Sequence, residues 1–446
     1  MAAILGLLGT EDFSTQRFKN YRRSVFYQYP QGAAPLNGVL SMLDEENTDD
    51  PEFNWFEKRL KDQRTTTASQ GSSKGPFKNS SDADLGDNAT ITSGTEYIVV
   101  VAATEQFRVG HNIKIKVDLN SAASTSEVHG VVTALTSSTK LKFRATKTVT
   151  TIDNGTTNEN VSKECLIVGS AFAQGARDTT TQPYNLPVQF TNYCQIFRTP
   201  FSLTGTALKT GAKYDETGPY KDKAKEHSVY HMVEMEKAMI FGQQVAYVDG
   251  TTNLPTYGMG GILWHLEQWE AGTAYGVTAS TADTDDNKRI IANSTGAISE
   301  KVYDGYLERL FRVTNNKTNE KLVLCGSGFL QTINSLYRSK SVLNADLPMT
   351  DTYGMDIVKH RTSFGTLLYK THPLFSQNPD LRFCALFLDV HNIKYRYLEG
   401  RDTELLKNRE DNDADYRKDE YLTECGLEVR FPESHMFMKN VQDFTP

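Results

Sequence analysis

Alternating apolar and polar positions mark an extended strand over Tyr193–Leu203. Tyr193, Phe197, Phe201 and Leu203 share one face, and Asn192, Arg198 and Ser202 the other. A long helix follows, predicted from Pro219 to Gly242. Gly218-Pro219 opens it with proline at the first helical position, where the missing N–H is not needed. Ala224, Ser228, Met232, Met235 and Met239 make one stripe at helical spacing, widened by Val229, Val233 and Ile240. At 1.5 Å per residue the rod is about 36 Å long. An extended arm running into a long amphipathic rod suits a chain laid against copies of itself. Met232, Met235 and Met239 are expected in the core beneath that rod, since a methionine stripe at helical spacing is core more often than ligand surface.

The remaining pattern divides the chain. Residues 1–50 read as an irregular N-terminal arm, and Glu52–Leu60 as an extended or short amphipathic element carrying Trp55. From Thr65 to about Asp87 the residues are Ser, Thr, Gly, Lys and Asp, a linker composition. Between about 94 and 170, YIVVV, FRVGHNIKIKV, HGVVTAL, KLKFRA and ECLIVG alternate with turn-forming segments, the pattern of a small all-β module. Polar linkers on both sides make it an insertion, expected over 90–172. Ser299 is expected to cap a helix with faces Val302, Tyr306, Leu310 and Tyr303, Leu307, Phe311. The strand KLVLC leads through Gly326-Ser327-Gly328 into another helix, and the last hundred residues are β-rich.

Composition narrows the class. A chain of 446 residues holds roughly three folding units, and 38% apolar with 23% charged residues is globular. The net charge of −7 argues against a surface that grips phosphates along its whole length. The basic cluster Arg17, Lys19, Arg22 and Arg23, interleaved with Phe18 and Tyr21, reads as a solvated or inter-subunit arm before it reads as a nucleic-acid contact. No apolar run reaches the length of a membrane span, and the start lacks a basic signal-peptide region. Cys165, Cys194, Cys325, Cys384 and Cys425 are dispersed, odd in number and without a CxxC pair, which predicts reduced core thiols.

Candidate chemistry fails at specific positions. LVLCGSGFLQTI has Cys325 where a nucleophile elbow needs glycine, and Gln331 where a dinucleotide loop needs its third glycine. His227 and His231 stand four apart on the long helix, but Ser228 replaces the glutamate of a zinc-protease motif. Asp283, Asp285 and Asp286 lack the glycine and glutamate of a calcium loop, and Asp411-Asn412-Asp413 reads as an exposed turn of mixed charge. No catalytic, cofactor or metal residue is expected.

The order of elements resembles the major capsid proteins of tailed bacteriophages with the Hong Kong 97-type fold, in the branch carrying a β-rich insertion. The phrases that carry it are QIFRTPFSLTGTALKTG entering KDKAKEHSVYHMVEMEKAMIFG, then YGMGGIL, GMDIVKHRTSFGTLLYKTHP, ALFLDVHNIKYRYLEGRDTE and DEYLTECGLEVRFPESHMFMKNV. FRVGHNIKI (Phe107 to Ile115) is similar to a phrase of that insertion, usually with an acidic residue where His111 stands. The resemblance implies an α+β fold: N-terminal arm 1–50, extended β-loop 51–75 and 185–210, inserted domain 90–172, spine helix and peripheral domain 211–260, axial domain 261–410, and C-terminal strands 411–446 returning to the peripheral domain. It implies hexamers and pentamers of this chain in an icosahedral, DNA-filled head, made in the host cytoplasm. Portal and scaffolding proteins would be partners, with a decoration protein a further candidate. DNA would be met by non-specific proximity, and no membrane is involved. Met1 at the start leads to the expectation of a separate scaffolding protein. Trp55, Phe197 and Phe201 are expected as inter-subunit anchors, exposed in the lone chain. The inserted module, with Lys114, Lys116, Lys140 and Lys142 on a watery face, is expected on the outside of the shell or over a gap between subunits. An encapsulin-like compartment protein is the alternative with the same fold. A glycan-binding surface protein is the alternative from another class, weakened by a module with no Trp and only Tyr97.

Overall fold

The computed structural model describes residues 34–41, 45–59, 63–69, 75–119, 124–154, 160–172, 174, 184, 186–210, 218–251, 253–272, 286–312, 319–340, 349–352 and 355–445. The basic cluster from Arg17 to Arg23, and Asp283 with Asp285, lie outside those residues. The chain forms two compact units, one of Met1–Glu57 with Val188–Pro446 and one of Lys58–Pro187.

The inserted unit is wider than 90–172. Strands Arg64–Thr66 and Phe77–Asn79, inside the stretch expected to be linker, belong to its sheet. Three-residue strands are too short to show a period, so composition concealed them. The sheet runs in the order Arg64–Thr66, Glu164–Ser170, His111–Asp118, Thr125–Ser137, Lys140–Ala145, Glu96–Val100, Phe77–Asn79. Thr67 bridges Val101, Ala68 N–H donates to Val100 O (2.9 Å) and Ala102 N–H to Thr66 O (2.8 Å). That seam joins the first strand of the order to the sixth and closes those six into a barrel, with Phe77–Asn79 paired alongside the sixth. Period-2 alternation fills the interior with Ile113, Ile115, Val117, Val128, Val132, Leu141, Phe143 and Cys165. Gly130 is needed there, since a Cβ would lie 2.5 Å from the Phe143 ring.

In the other unit two sheets share a core. The first orders Glu46–Thr48, Ile393–Leu398, Tyr416–Val429 and Gln195–Thr204, with Glu404–Leu406 also on Tyr416–Val429. The long helix, Pro219–Phe241, packs on it. Tyr421 O–H donates to Ala224 O (3.1 Å), and His231 sits between Thr199 Oγ1 (2.9 Å) and Thr423 Oγ1 (2.8 Å). The second sheet has seven strands, Ile290–Ala292, Met436–Lys439, Ala385–Leu388, Glu320–Cys325, Thr366–Thr371, Met355–Arg361 and Met349–Thr352. Residues 322–325 of its central strand read as an apolar run because both faces are covered, while the buried Lys321 before them pairs with Asp389 (2.9 Å). Leu322 and Leu324 face the cluster of Met235, Met239, Ile262 and Leu266. Val323 and Cys325 face Leu307, Leu310, Phe329 and Ile333 of helices Glu300–Arg312 and Ser327–Lys340.

Two expectations change here. Tyr416–Val429 stays in the five-stranded sheet while Met436–Lys439 crosses into the seven-stranded one, so 411–446 does not act as one block. Met235 and Met239 are buried, but Met232 is 45% exposed. The buried face is His231, Met235, Glu236, Met239 and Ile240. The threonines that grip His231 select it, and Met232, one residue on, is turned about 100° away.

Candidate assembly interface

Strands Glu52–Glu57 and Val188–Tyr193 pair antiparallel as a two-stranded ribbon. Alternation turns Phe53, Trp55 and Phe190 inward, where Trp269 and Cys194 complete the cluster. The Trp55 ring lies 6.2 Å from Phe53 and 6.0 Å from Phe190. Its Nε1–H donates to Glu57 Oε1 (3.1 Å), which also accepts Phe431 N–H (3.1 Å). Trp55, Phe197 and Phe201 are 5%, 2% and 3% exposed, so none is an exposed anchor. Phe197 belongs to the main core, and Phe201 packs on Tyr220 and His227, with ring centroids 5.9 and 5.4 Å away. A period of two identifies an apolar face but not the chain that covers it.

The exposed apolar side chains lie elsewhere. On the ribbon and its approach they are Phe56, Leu186 and Val188. Just beyond the long helix, Val245–Val248 and Pro255–Gly258 form a hairpin that, among the described residues, pairs with no other strand. Val245, Tyr247, Val248 and Leu254 on it are exposed, while Tyr257 stacks on Tyr193 at 5.3 Å. The pattern of apolar and polar positions led to no expected strand over Val245–Val248. The signal available was VAYV, four residues of strand propensity without a charge.

A buried carboxylate ties the N-terminal region to the long helix. Glu236 accepts Leu36 N–H on Oε1 (2.8 Å), Asn37 N–H on Oε2 (2.7 Å) and His372 Nε2–H on Oε1 (2.8 Å). Leu374 N–H donates to His372 Nδ1 (3.2 Å), which fixes the ring with its proton on Nε2. Nothing in the local sequence marks Glu236, which merely interrupts an apolar stripe.

The chemical decoys are accounted for by packing. A Cβ on Gly326 would lie 2.2 Å from Arg382 O, and one on Gly328 2.6 Å from the Phe383 ring, so both glycines permit close approach. His227 faces Lys223 O while His231 is held by threonines, and the two rings serve separate contacts. Burial pushes the Cys165, Cys194 and Cys325 thiols up to about 12, the behaviour of inert core residues. Among the described residues no group of His, Cys, Asp and Glu could hold a metal ion, and no helix is long and apolar enough to cross a membrane.

On the barrel, Lys114 pairs with Glu127 (2.6 Å), Lys140 with Asp82 (2.6 Å) and Lys142 with Glu96 (2.9 Å), so carboxylates of the same unit answer three of the four lysines of that face, and Lys116 is exposed. His111 Nε2 accepts Arg108 Nε–H (3.0 Å), a contact that a carboxylate at this position could also make. Burial, and then Arg108, hold the His111 pKa below its ordinary value.

Comparison with known proteins places this architecture. The family described as SU10 major capsid protein matches residues 10–442. The major capsid protein of Pseudomonas phage PaMx41 is 25% identical over 243 residues, 54% of this chain, and the chain spans about half (53%) of that relative's length. Among solved structures the chain is loosely similar to the cyanophage A-1(L) capsid asymmetric unit (14% identity, 62% of this chain and 85% of that one, TM-score 0.42). It is also loosely similar to a chain from Mycobacterium phage Bobi (9%, 98% and 95%, 0.43) and to the holo-SrpI encapsulin complex of Synechococcus elongatus PCC 7942 (10%, 58% and 79%, 0.37). Matched from residue 10 to residue 442, the chain belongs to the SU10 major capsid protein family.

Proposed function

We propose that the chain is the structural subunit of a tailed-phage head, self-associating as hexamers and pentamers into an icosahedral shell around double-stranded DNA. The family match over nearly the whole chain carries this reading. The exposed apolar residues of the ribbon and hairpin support it, because apolar side chains on strands left in water ask for a partner surface. In the Hong Kong 97-type scheme Pro219–Phe241 is the spine helix, the ribbon is the base of the extended loop, and the barrel is strung from that loop. The role is architectural, not catalytic. Portal and scaffolding proteins of the same phage are the expected partners. The barrel belongs on the outer surface, since its ion-paired lysines offer packaged DNA little unbalanced charge. Negative-stain microscopy of purified protein tests the function: shells or ring-shaped capsomers support it, and monomers at every concentration overturn it.

A further inference from the structure

The hairpin Val245–Gly258 has two outer edges, and only one is guarded. Its register is Val245 with Gly258, Ala246 with Tyr257, Tyr247 with Thr256 and Val248 with Pro255. Asp249 N–H donates to Leu254 O (2.9 Å), so the hydrogen-bonded pairs continue at Tyr247–Thr256 and Val245–Gly258. Pro255 therefore stands where the second strand would turn an N–H outward, and proline blunts that edge. On the first strand Ala246 and Val248 turn N–H and C=O away from the hairpin. No proline, lysine or glutamate protects them, and Asp249 at the turn is the one charged residue from Val245 to Gly258. Val245, Tyr247, Val248 and Leu254 are 44% to 63% exposed. A lone two-stranded hairpin is only marginally stable in water.

We infer that this edge pairs with the same edge of a second copy of the chain, antiparallel about a two-fold axis centred on Tyr247. The reading rests on the self-assembly proposed above. The register follows from which groups face out. Ala246 of one copy meets Val248 of the other, each pair exchanging two N–H···O=C bonds, so four bonds make one four-stranded sheet. Tyr247 then lies opposite its own symmetry mate as a non-hydrogen-bonded pair, with Cα atoms about 4.5 Å apart. The occupant is a second copy because the edge is complementary to itself: alternate donors and acceptors in register, apolar side chains on both faces, and no charge to oppose its mate.

The test is cysteine scanning in assembled protein, with low background because the five native thiols are buried. Tyr247→Cys should form a disulfide dimer on mild oxidation, since the separation suits an S–S bridge. Val245→Cys should not, since two residues off the axis its mate is about 13 Å away. Tyr247→Lys sets two ammonium groups opposite each other and should raise the concentration needed for assembly by about tenfold while the monomer stays folded. Shells that form normally with no Tyr247→Cys dimer, or with equal crosslinking at Val245→Cys, overturn the pairing and leave the capsid reading standing. Specific dimers in a protein that never builds shells or capsomers would support the pairing and overturn that reading.

Discussion

His265 and His435 are fully enclosed, and burial pushes each imidazole down to about 3 from an ordinary value of 6.5. Both nitrogens of His265 lack a hydrogen bond, and Lys321 and Asp389 lie near His435, the Asp389 N–H donating to its Nδ1 (3.1 Å). Folded protein keeps both rings neutral to about pH 3, whereas each takes up a proton below about pH 6.5 once unfolded. Stability is therefore complete above 6.5 and falls as the pH drops from 6.5 toward 3. From pH 7 to pH 5 the loss is about 2 kcal/mol per histidine, about 4 kcal/mol for the pair. That is a large part of a typical domain stability of about 5–15 kcal/mol. Burial also lowers His231 and His360, which add to the same trend. Urea denaturation followed by tryptophan fluorescence measures it. The chain has three tryptophans; Trp55 and Trp264 lie 5.9 and 4.8 Å from the His265 ring, and Trp269 shares the Trp55 cluster. His265→Leu removes two unpartnered nitrogens and one titration. It should hold or raise stability at pH 7 and reduce the pH slope by about 1.4 kcal/mol per unit. An unchanged midpoint between pH 7 and pH 5, or an unchanged slope in His265→Leu, refutes the account.

Other perturbations test separate parts of the architecture. Met235→Asp puts an unpaired carboxylate among Met239, Ile240 and Leu266 and should cost roughly 4 kcal/mol; soluble, assembly-competent mutant protein would count against the core placement. Glu236→Ala strips the acceptor from Leu36 N–H, Asn37 N–H and His372 Nε2–H, and should cost about 3–5 kcal/mol. Hydrogen exchange of the Leu36 and Asn37 amides should rise in that variant; unchanged protection would dismiss the clamp. Gly426→Ala places a Cβ 2.5 Å from the Phe53 ring and 2.7 Å from Tyr193 O, an overpacking worth about 1–3 kcal/mol in a thermal melt. Glu57 and Val188 face each other in register, so replacing Lys58–Pro187 with a short Gly/Ser linker should leave a folded remainder by circular dichroism; an unfolded product would make the barrel part of the main core.

Local pattern carried much of the fold. Proline at position 219 and the helical spacing beyond it give the long helix, found at Pro219–Phe241. Strict alternation gives the strand His111–Asp118, and the apolar run at residues 322–325 marks the strand Glu320–Cys325. These signals are legible because helix and strand periods are properties of neighbouring residues. The dispersed cysteines likewise read correctly as buried thiols. Tertiary structure decided what covers each face. Trp55 and Phe197 satisfy the same alternation whether their cover is a neighbouring subunit or their own core, and here it is their own. Met232 yields to His231 because two threonines on distant strands grip the histidine. Closure of the barrel depends on Thr67 reaching Val101, and the clamp on Leu36 reaching Glu236, 200 residues away. The hairpin edge is open because, among the described residues, no other strand arrives beside it. Burial and hydrogen-bond completion depend on what the fold brings alongside, and partners so far apart in sequence leave no period to read.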